Sequence, residues 1–341
     1  MALHGWRSAG LDGKLHGEIP PRSVPRTQAE NAVLRRPLLW ASRNRWLAER
    51  FPRYRFARVA VRRFMPGEEL EDALGAAARL HRHGLGTVLT RLGENLVRIE
   101  EADAVARHYC GAFDAIAGTG HDIQVSVKVT QLGLDIDEAA ATRHVAALAA
   151  HAAATGNVVW VDIEDSSYVD RTIALFRSVR ADHANVGLCL QAYLYRTADD
   201  LETLLAEGTP SIRLVKGAYA EAADVAYPKK QDVDENYFRL GSRLIAASRD
   251  LSDGPRPALA SHDTPLLDRL TRAATDAGVP RGNFEIQMLY GIRAQEQQRL
   301  AREGHRVRVL ISYGPQWFPW YVRRLAERPA NLWFVAKSMF G

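Results

Sequence analysis

Cysteine is nearly missing from this chain: among 341 residues only Cys110 and Cys189 occur. Two cysteines cannot build a disulfide framework or a cysteine-based zinc site. No run approaches the roughly 18 apolar residues that span a bilayer. The N-terminus, MALHGWRSAGLDGKLHG, has no apolar stretch of the kind that opens a secretory signal. A soluble, cytoplasmic protein is the expectation. The first strand-like run leads into RLGENL, without Gly-x-Gly-x-x-Gly, so a Rossmann dinucleotide site lacks support. Hydrophobic residues at 47% and charged residues at 25% are ordinary globular usage and exclude a disordered chain.

The net charge of +5 suggests an acidic partner until it is divided along the chain. Residues 1–63 hold fourteen basic side chains and four acidic ones, a balance of +10, so the remainder carries −5. Beyond residue 63 the two signs are mixed and no basic stripe interleaves with aromatics, which argues against nucleic acid. Residues 1–31 are polar, Gly- and Pro-bearing, and read as an arm. From Arg35 to Arg63, Trp40, Trp46, Leu47, Phe51 and Phe56 recur at helical spacing among arginines. That pattern predicts a cationic helix pair packed on the main domain; a helix lying on an anionic membrane surface is the alternative. The chain thus divides into a basic arm with helices, 1–63, and a main domain, 64–341.

Past residue 64, short apolar or β-branched runs alternate with helical patterns. The runs are 87–92, 123–130, 158–163, 186–193, 211–217, 258–263, 284–289 and 306–313. Eight strands alternating with helices over this length predict an α/β fold, a (β/α)8 TIM-type barrel with an N-terminal helical extension.

Active sites of such barrels lie at the C-terminal ends of the strands, and polar residues gather there. Lys128 ends the second strand, Asp162 and Glu164 the third, Gln191 and Tyr193 the fourth. Arg213, Lys216 and Tyr219 surround the fifth, Ser261, His262 and Asp263 close the sixth, and Glu285 and Gln287 alternate on the seventh before Leu289. Each has a plain structural alternative. Lys128 could pair with Asp162 across adjacent strands, Arg213 could neutralise Asp162, and His262 alone fits a satisfied core histidine. A hydrolytic metal site has only one strand-end histidine to draw on, and Lys128, Arg213 and Lys216 would repel an oxygen-bound Mg²⁺. The cationic lining suits an anion better: a cofactor pyrophosphate, a reduced flavin or a substrate carboxylate. Lys216-Gly217-Ala218 offers small residues where a phosphate could approach. Arg323 and Arg324, on a helix after the eighth strand, form either a solvated face or a pair of forks for a carboxylate.

The runs SVKVTQLGLDID, VDIEDS, LCLQAYLYRT, RLVKGAY, ASHD, FEIQMLYGIR and YGPQWFPWYVRRLAERPANL, in this order, resemble the proline dehydrogenase family in its single-domain bacterial form. The resemblance runs from about residue 60 to the C-terminus. It implies a distorted barrel holding FAD noncovalently, with a hydride passing from the substrate carbon beside nitrogen to flavin N5. By matching positions it implies that Asp162 and Arg213 are the family's catalytic active-site aspartate and arginine. It places Lys128 and the doublet Arg323 and Arg324 at the amino-acid carboxylate, and Tyr219 and Leu289 on the pocket wall. Ile163, Gln191, Arg213, Lys216, Gly217, Ala218, Ser261 and His262 match flavin-contacting positions. A quinone is the implied electron acceptor, and the basic N-terminal region is suited to a peripheral membrane contact.

Three positions depart from the family pattern. Thr90 stands for an aspartate, and Leu310 and Trp320 stand for tyrosines, all near the expected amino acid. The carboxylate clamp and flavin positions are retained while the wall becomes more apolar. Proline or a proline-like amino acid is the expected substrate; the alternative is a non-proline secondary amine or an N–N-bonded amino acid. A flavin-free scaffold is the reading from another class.

Overall fold

A computed structural model describes residues 50, 61–93, 96–208, 211–251 and 255–327, with side chains described as far as residue 322. The predicted arm and nearly all of the predicted helix pair lie outside these residues. Within them the eight predicted strands form one closed, all-parallel barrel in sequence order. They are β1 Gly86–Arg91, β2 Ile123–Lys128, β3 Val159–Asp162, β4 Val186–Gln191, β5 Ile212–Val215, β6 Ala258–Ala260, β7 Glu285–Leu289 and β8 Arg306–Tyr313. β8 closes on β1 over six register pairs, from Gly86 opposite Arg308 to Arg91 opposite Tyr313.

The helices return the chain over the outside: α1 Leu70–His81, α2 Ile99–Ala117, α3 Glu138–Ala154, α4 Val169–Arg180, α5 Thr197–Ala206, α6 Lys230–Ala247, α7 Thr264–Asp276, α8 Ala294–Arg302 and α9 Trp317–Glu327. Local chemistry starts several of them. Asp137 accepts the Ala140 amide at the head of the alanine-rich α3, and Pro265 occupies the first turn of α7.

Alternation along each strand makes two cores. Outward residues such as Leu89, Val127, Val161, Leu188, Leu214, Ile286 and Val309 meet the helix ring in one continuous cluster. Inward residues Val88, Trp160 and Ala258, with Leu310 against them, fill the lower barrel. Trp160 fits because β4 has a glycine opposite it: a Cβ on Gly187 would lie 2.6 Å from the indole.

The barrel floor is closed by charge. Arg308 donates through Nε and Nη2 to Glu285 at 2.9 and 2.8 Å, and through Nη1 and Nη2 to Asp122 at 2.8 and 3.0 Å. Its Nη1 also reaches the Thr87 carbonyl at 3.1 Å. Glu285 therefore belongs to this plug at the start of β7, and not with the strand-end groups where the sequence placed it. The segment before α1 is packed in: Val61, Phe64 and Met65 are buried, and Glu68 accepts the Trp317 indole N–H at 3.0 Å.

Candidate active site

At the opposite end, a cavity of about 680 Å³ opens among the C-terminal ends of the strands. Its size falls within the roughly 300–1,000 Å³ of small-molecule sites. Thr90 of β1, Lys128 of β2, Asp162 and Ile163 at the end of β3, and Gln191 of β4 line it. So do Arg213, Lys216, Gly217, Ala218 and Tyr219 from β5 onward, and Ser261 and His262 after β6. Leu289, Leu310 and Trp320 complete the predicted set on β7, β8 and α9. Arg323 and Arg324 lie one turn beyond Trp320 on α9, and their side chains fall outside the described residues.

Arg213 and Asp162 are joined. Nη1 of Arg213 lies 2.6 Å from Asp162 Oδ1, so the pairing weighed from the sequence is realised. Lys128 is the register neighbour of Asp162 across β2 and β3. Beneath the guanidinium lies Trp160, with Cζ 4.6 Å from the ring centroid, a stacking that suits a planar, weakly hydrated cation. The Nε and Nη2 atoms of Arg213 are buried and have no hydrogen-bond partner among the described residues.

Lys216 is less free than its sequence position suggests. Its ammonium binds Asp234 and, at 2.7 Å, Asp263, and Lys230 reaches the same two carboxylates. Two lysines face two aspartates, so this rim is close to neutral. Burial pushes the Asp263 carboxyl up, but Lys216 and Lys230 more than offset that and hold it below its usual value.

The loop after β5 depends on a glycine. Gly217 has φ +120°, and a Cβ there would stand 2.2 Å from the Tyr193 ring. Tyr193 is thus the support under this loop and does not itself line the cavity. Glu164 likewise turns away: it accepts the Thr130 hydroxyl at 2.8 Å and the Thr130 amide at 3.3 Å. His262 accepts the Leu289 amide through Nε2 at 2.9 Å, tying the end of β6 to the end of β7.

The sequence reading missed several lining residues. Gln131, in the turn after β2, donates to the Arg91 carbonyl at 3.0 Å and to that of Gly93. Its polarity inside the apolar run VTQLGL was the available signal. Arg293, at the head of α8, is the one non-glycine residue with positive φ among the described residues, at 52°. Cys189 and Ser312 face the cavity from β4 and β8, and nothing in their local sequence distinguishes them. Burial pushes the Cys189 thiol up to about 12, which leaves it protonated and unreactive near neutrality.

Buried polar atoms are normally paired, and the exceptions concentrate here. Among the described residues, six of the twelve unpartnered buried side-chain atoms belong to cavity residues: Gln131 Oε1, Gln191 Oε1, Arg213 Nε and Nη2, Gln287 Oε1 and Ser312 Oγ. A wall of unmet donors and acceptors is the complement of a ligand with hydrogen-bonding heteroatoms. Among the described residues no group of three or more His, Cys, Asp or Glu side chains could hold a metal ion.

Fold and site together define a (β/α)8 barrel with a cavity of unmatched polar groups at its mouth. The proline dehydrogenase family profile matches residues 73–337, and the chain belongs to that family. It is 37% identical over 307 residues to proline dehydrogenase 1 of Bacillus subtilis subsp. natto, covering 90% of this chain and 99% of that protein. It is also 37% identical over 282 residues to proline dehydrogenase of Deinococcus radiodurans, covering 81% and 89% of the two chains. Among solved structures, proline utilization A from Bdellovibrio bacteriovorus, inactivated by N-propargylglycine, shares the fold. The TM-score is 0.71 at 23% identity, over 79% of this chain and 32% of that one.

Proposed function

We propose that the chain is an FAD-dependent dehydrogenase that oxidises the carbon–nitrogen bond of L-proline or a proline-like amino acid. The observation that carries this reading is Arg213, buried in the cavity with Nε and Nη2 unmatched, among the positions that the family resemblance assigns to flavin and substrate. The residues fit a flavin. Gln191 and Gln287 add unmatched amide oxygens, and Lys128 and Arg213 supply positive charge beside an electron-rich ring system. When bound, FAD accepts at N5 the hydride leaving the substrate carbon beside nitrogen.

The protein's own work is placement. Gln191, Arg213 and the Gly217 loop, which line the cavity, would hold the cofactor. Thr90, Lys128, Leu289, Leu310 and Trp320, which line it too, would enclose the amino acid. Lys128, with Arg323 and Arg324 from α9, is assigned to the carboxylate, which fixes the reacting carbon relative to the flavin. Electrons then leave to an acceptor, a quinone on family grounds. No described helix is long and apolar enough to cross a membrane.

Thr90, Leu310 and Trp320 all line the cavity, so the departures from the family pattern fall on the pocket itself. They support a widened tolerance for ring-substituted prolines. A change to a non-proline secondary amine or an N–N-bonded amino acid is not favoured, given curated relatives at 37% identity that are named proline dehydrogenases. Reconstituted with FAD, the protein should be yellow and should bleach under anaerobic conditions on addition of millimolar L-proline. A colourless protein after reconstitution, or no bleaching, overturns the proposal.

A further inference from the structure

Arg213 is held by a residue that neither lines the cavity nor carries a charge. Ser126 stands on β2, fully buried at 0% exposure, one layer below Lys128. Its hydroxyl donates to Asp162 Oδ1 at 2.7 Å, with the Trp160 carbonyl a longer second acceptor at 3.4 Å, and accepts from Arg213 Nη1 at 2.9 Å. The direct contact of Arg213 Nη1 with Asp162 Oδ1 closes a three-membered ring of hydrogen bonds. A hydroxyl has one proton, so donation to the carboxylate leaves its lone pairs for the guanidinium, and the direction of each bond is set. The strand is anchored as well: the Ser126 carbonyl accepts the Tyr109 hydroxyl at 3.3 Å, and Tyr109 in turn accepts the Arg91 amide at 2.9 Å.

The five N–H bonds of a guanidinium can be counted. Arg213 Nη1 meets both acceptors, Ser126 and Asp162. Trp160 covers one face of the plane. What remains is the edge made by Nε and Nη2, which is buried and unmatched. With Asp162 alone, the guanidinium could turn about that single contact while keeping its ion pair. The second acceptor removes this freedom, and with it any choice over which edge faces the cavity.

Resting on the proposed flavin and proline reading, we infer that Ser126 is a positioning residue: it locks the Arg213 guanidinium so that its Nε–Nη2 edge presents to the bound flavin. Among the described residues, Ser126 is the one side-chain hydroxyl bonded to Arg213. The role requires an oxygen at Cβ and little else, so threonine, suited to a strand, should preserve it.

The test compares flavin-loaded wild type, Ser126→Ala and Ser126→Thr. In Ser126→Ala the loosened cation stabilises the reduced, more negative flavin less, so the midpoint potential should move to more negative values. The FAD dissociation constant should rise about tenfold, the effect of one lost hydrogen bond to a charged group. With L-proline, kcat should fall by about 10²-fold, as for other small misplacements, while KM changes by less than about threefold because the carboxylate is held elsewhere. Ser126→Thr should return potential, affinity and kcat close to wild type. If Ser126→Ala does not fold, Ser126→Cys, of similar size but with a far weaker donor and acceptor, takes its place with the same expected shifts. A wild-type potential and FAD affinity in the alanine or cysteine variant overturns the inference, and so does equal damage in the threonine variant. Potential and FAD affinity need no substrate. A wild type that binds FAD yet is not bleached by L-proline therefore defeats the substrate reading alone, and Ser126 is still decided.

Discussion

Two arginines sit inside this barrel at nearly equal depth, with side chains 3% and 5% exposed, and their surroundings are opposite. Arg308, at the floor, has a partner at every nitrogen: two carboxylates and a carbonyl absorb all of its donors. Arg213, at the mouth, is bound on one edge and bare on the other. A fully satisfied buried ion pair closes a structure, whereas a half-satisfied one is costly unless something arrives to complete it. Burial and charge alone do not separate the two. The count of unmet donors does.

Breaking the floor should have the largest effect. Arg308→Leu leaves Glu285 buried without its counter-charge, so unfolding free energy should drop by about 3–5 kcal/mol, read from urea melts. Removing the stranded carboxylate too, in Arg308→Leu with Glu285→Leu, should recover a substantial part. A single variant as stable as wild type would show that the plug is not structural.

Breaking the mouth should spare the fold and remove the chemistry. Arg213→Met should reduce proline-dependent flavin reduction by about 10²- to 10³-fold, the range for losing a charged group aimed at the reacting centre. Its melting temperature should stay within a few degrees of wild type, because Asp162 is 19% exposed and keeps the Ser126 hydroxyl. Stopped-flow absorbance and a thermal melt separate the two outcomes.

Acid should weaken the floor. Burial pushes the Glu285 carboxyl up, but the charge and hydrogen bonds of Arg308 outweigh it and leave the group below its ordinary value. A depressed carboxylate contributes stability that is fully present above its unfolded-state pKa, about 4.3, and is lost as pH falls through the folded one. Urea midpoints should therefore decline below about pH 4.3, and the doubly substituted floor should show a shallower decline.

The smallest effect concerns the wall. Leu310→Tyr should raise the preference for L-proline over ring-substituted prolines by about tenfold or less, as one pocket group commonly does. Ratios of kcat/KM across such a panel measure it, and an unchanged ratio would remove Leu310 from the specificity account.

Much of this was legible in the sequence because parallel strands, covered on both faces, print as short β-branched runs. All eight runs became strands, yet six ran past the end of their strand. In four of these the excess, Leu92, Ile163, residues 216–217 and residues 261–263, leaves the ladder to line the mouth, whereas residues 129–130 and 192–193 do not. The Arg213–Asp162 pair was within reach of the sequence, but other pairing across the barrel was hidden from it. Ser126 meets Arg213 over 87 positions and Arg308 meets Asp122 over 186, so no local pattern reports either. Lys216 shows the converse error. Its charge was plain, but the two aspartates that absorb it come from α6 and from the end of β6.

The most direct test of the contrast between the two arginines is an equilibrium titration of flavin-free protein with FAD, followed by quenching of flavin fluorescence. Wild type should bind one FAD per chain saturably, and Arg213→Met should bind at least about tenfold more weakly, the value of a lost charged hydrogen bond. Equal affinity in the two proteins, or no binding by wild type, would contradict the claim that the bare edge of Arg213 awaits the cofactor.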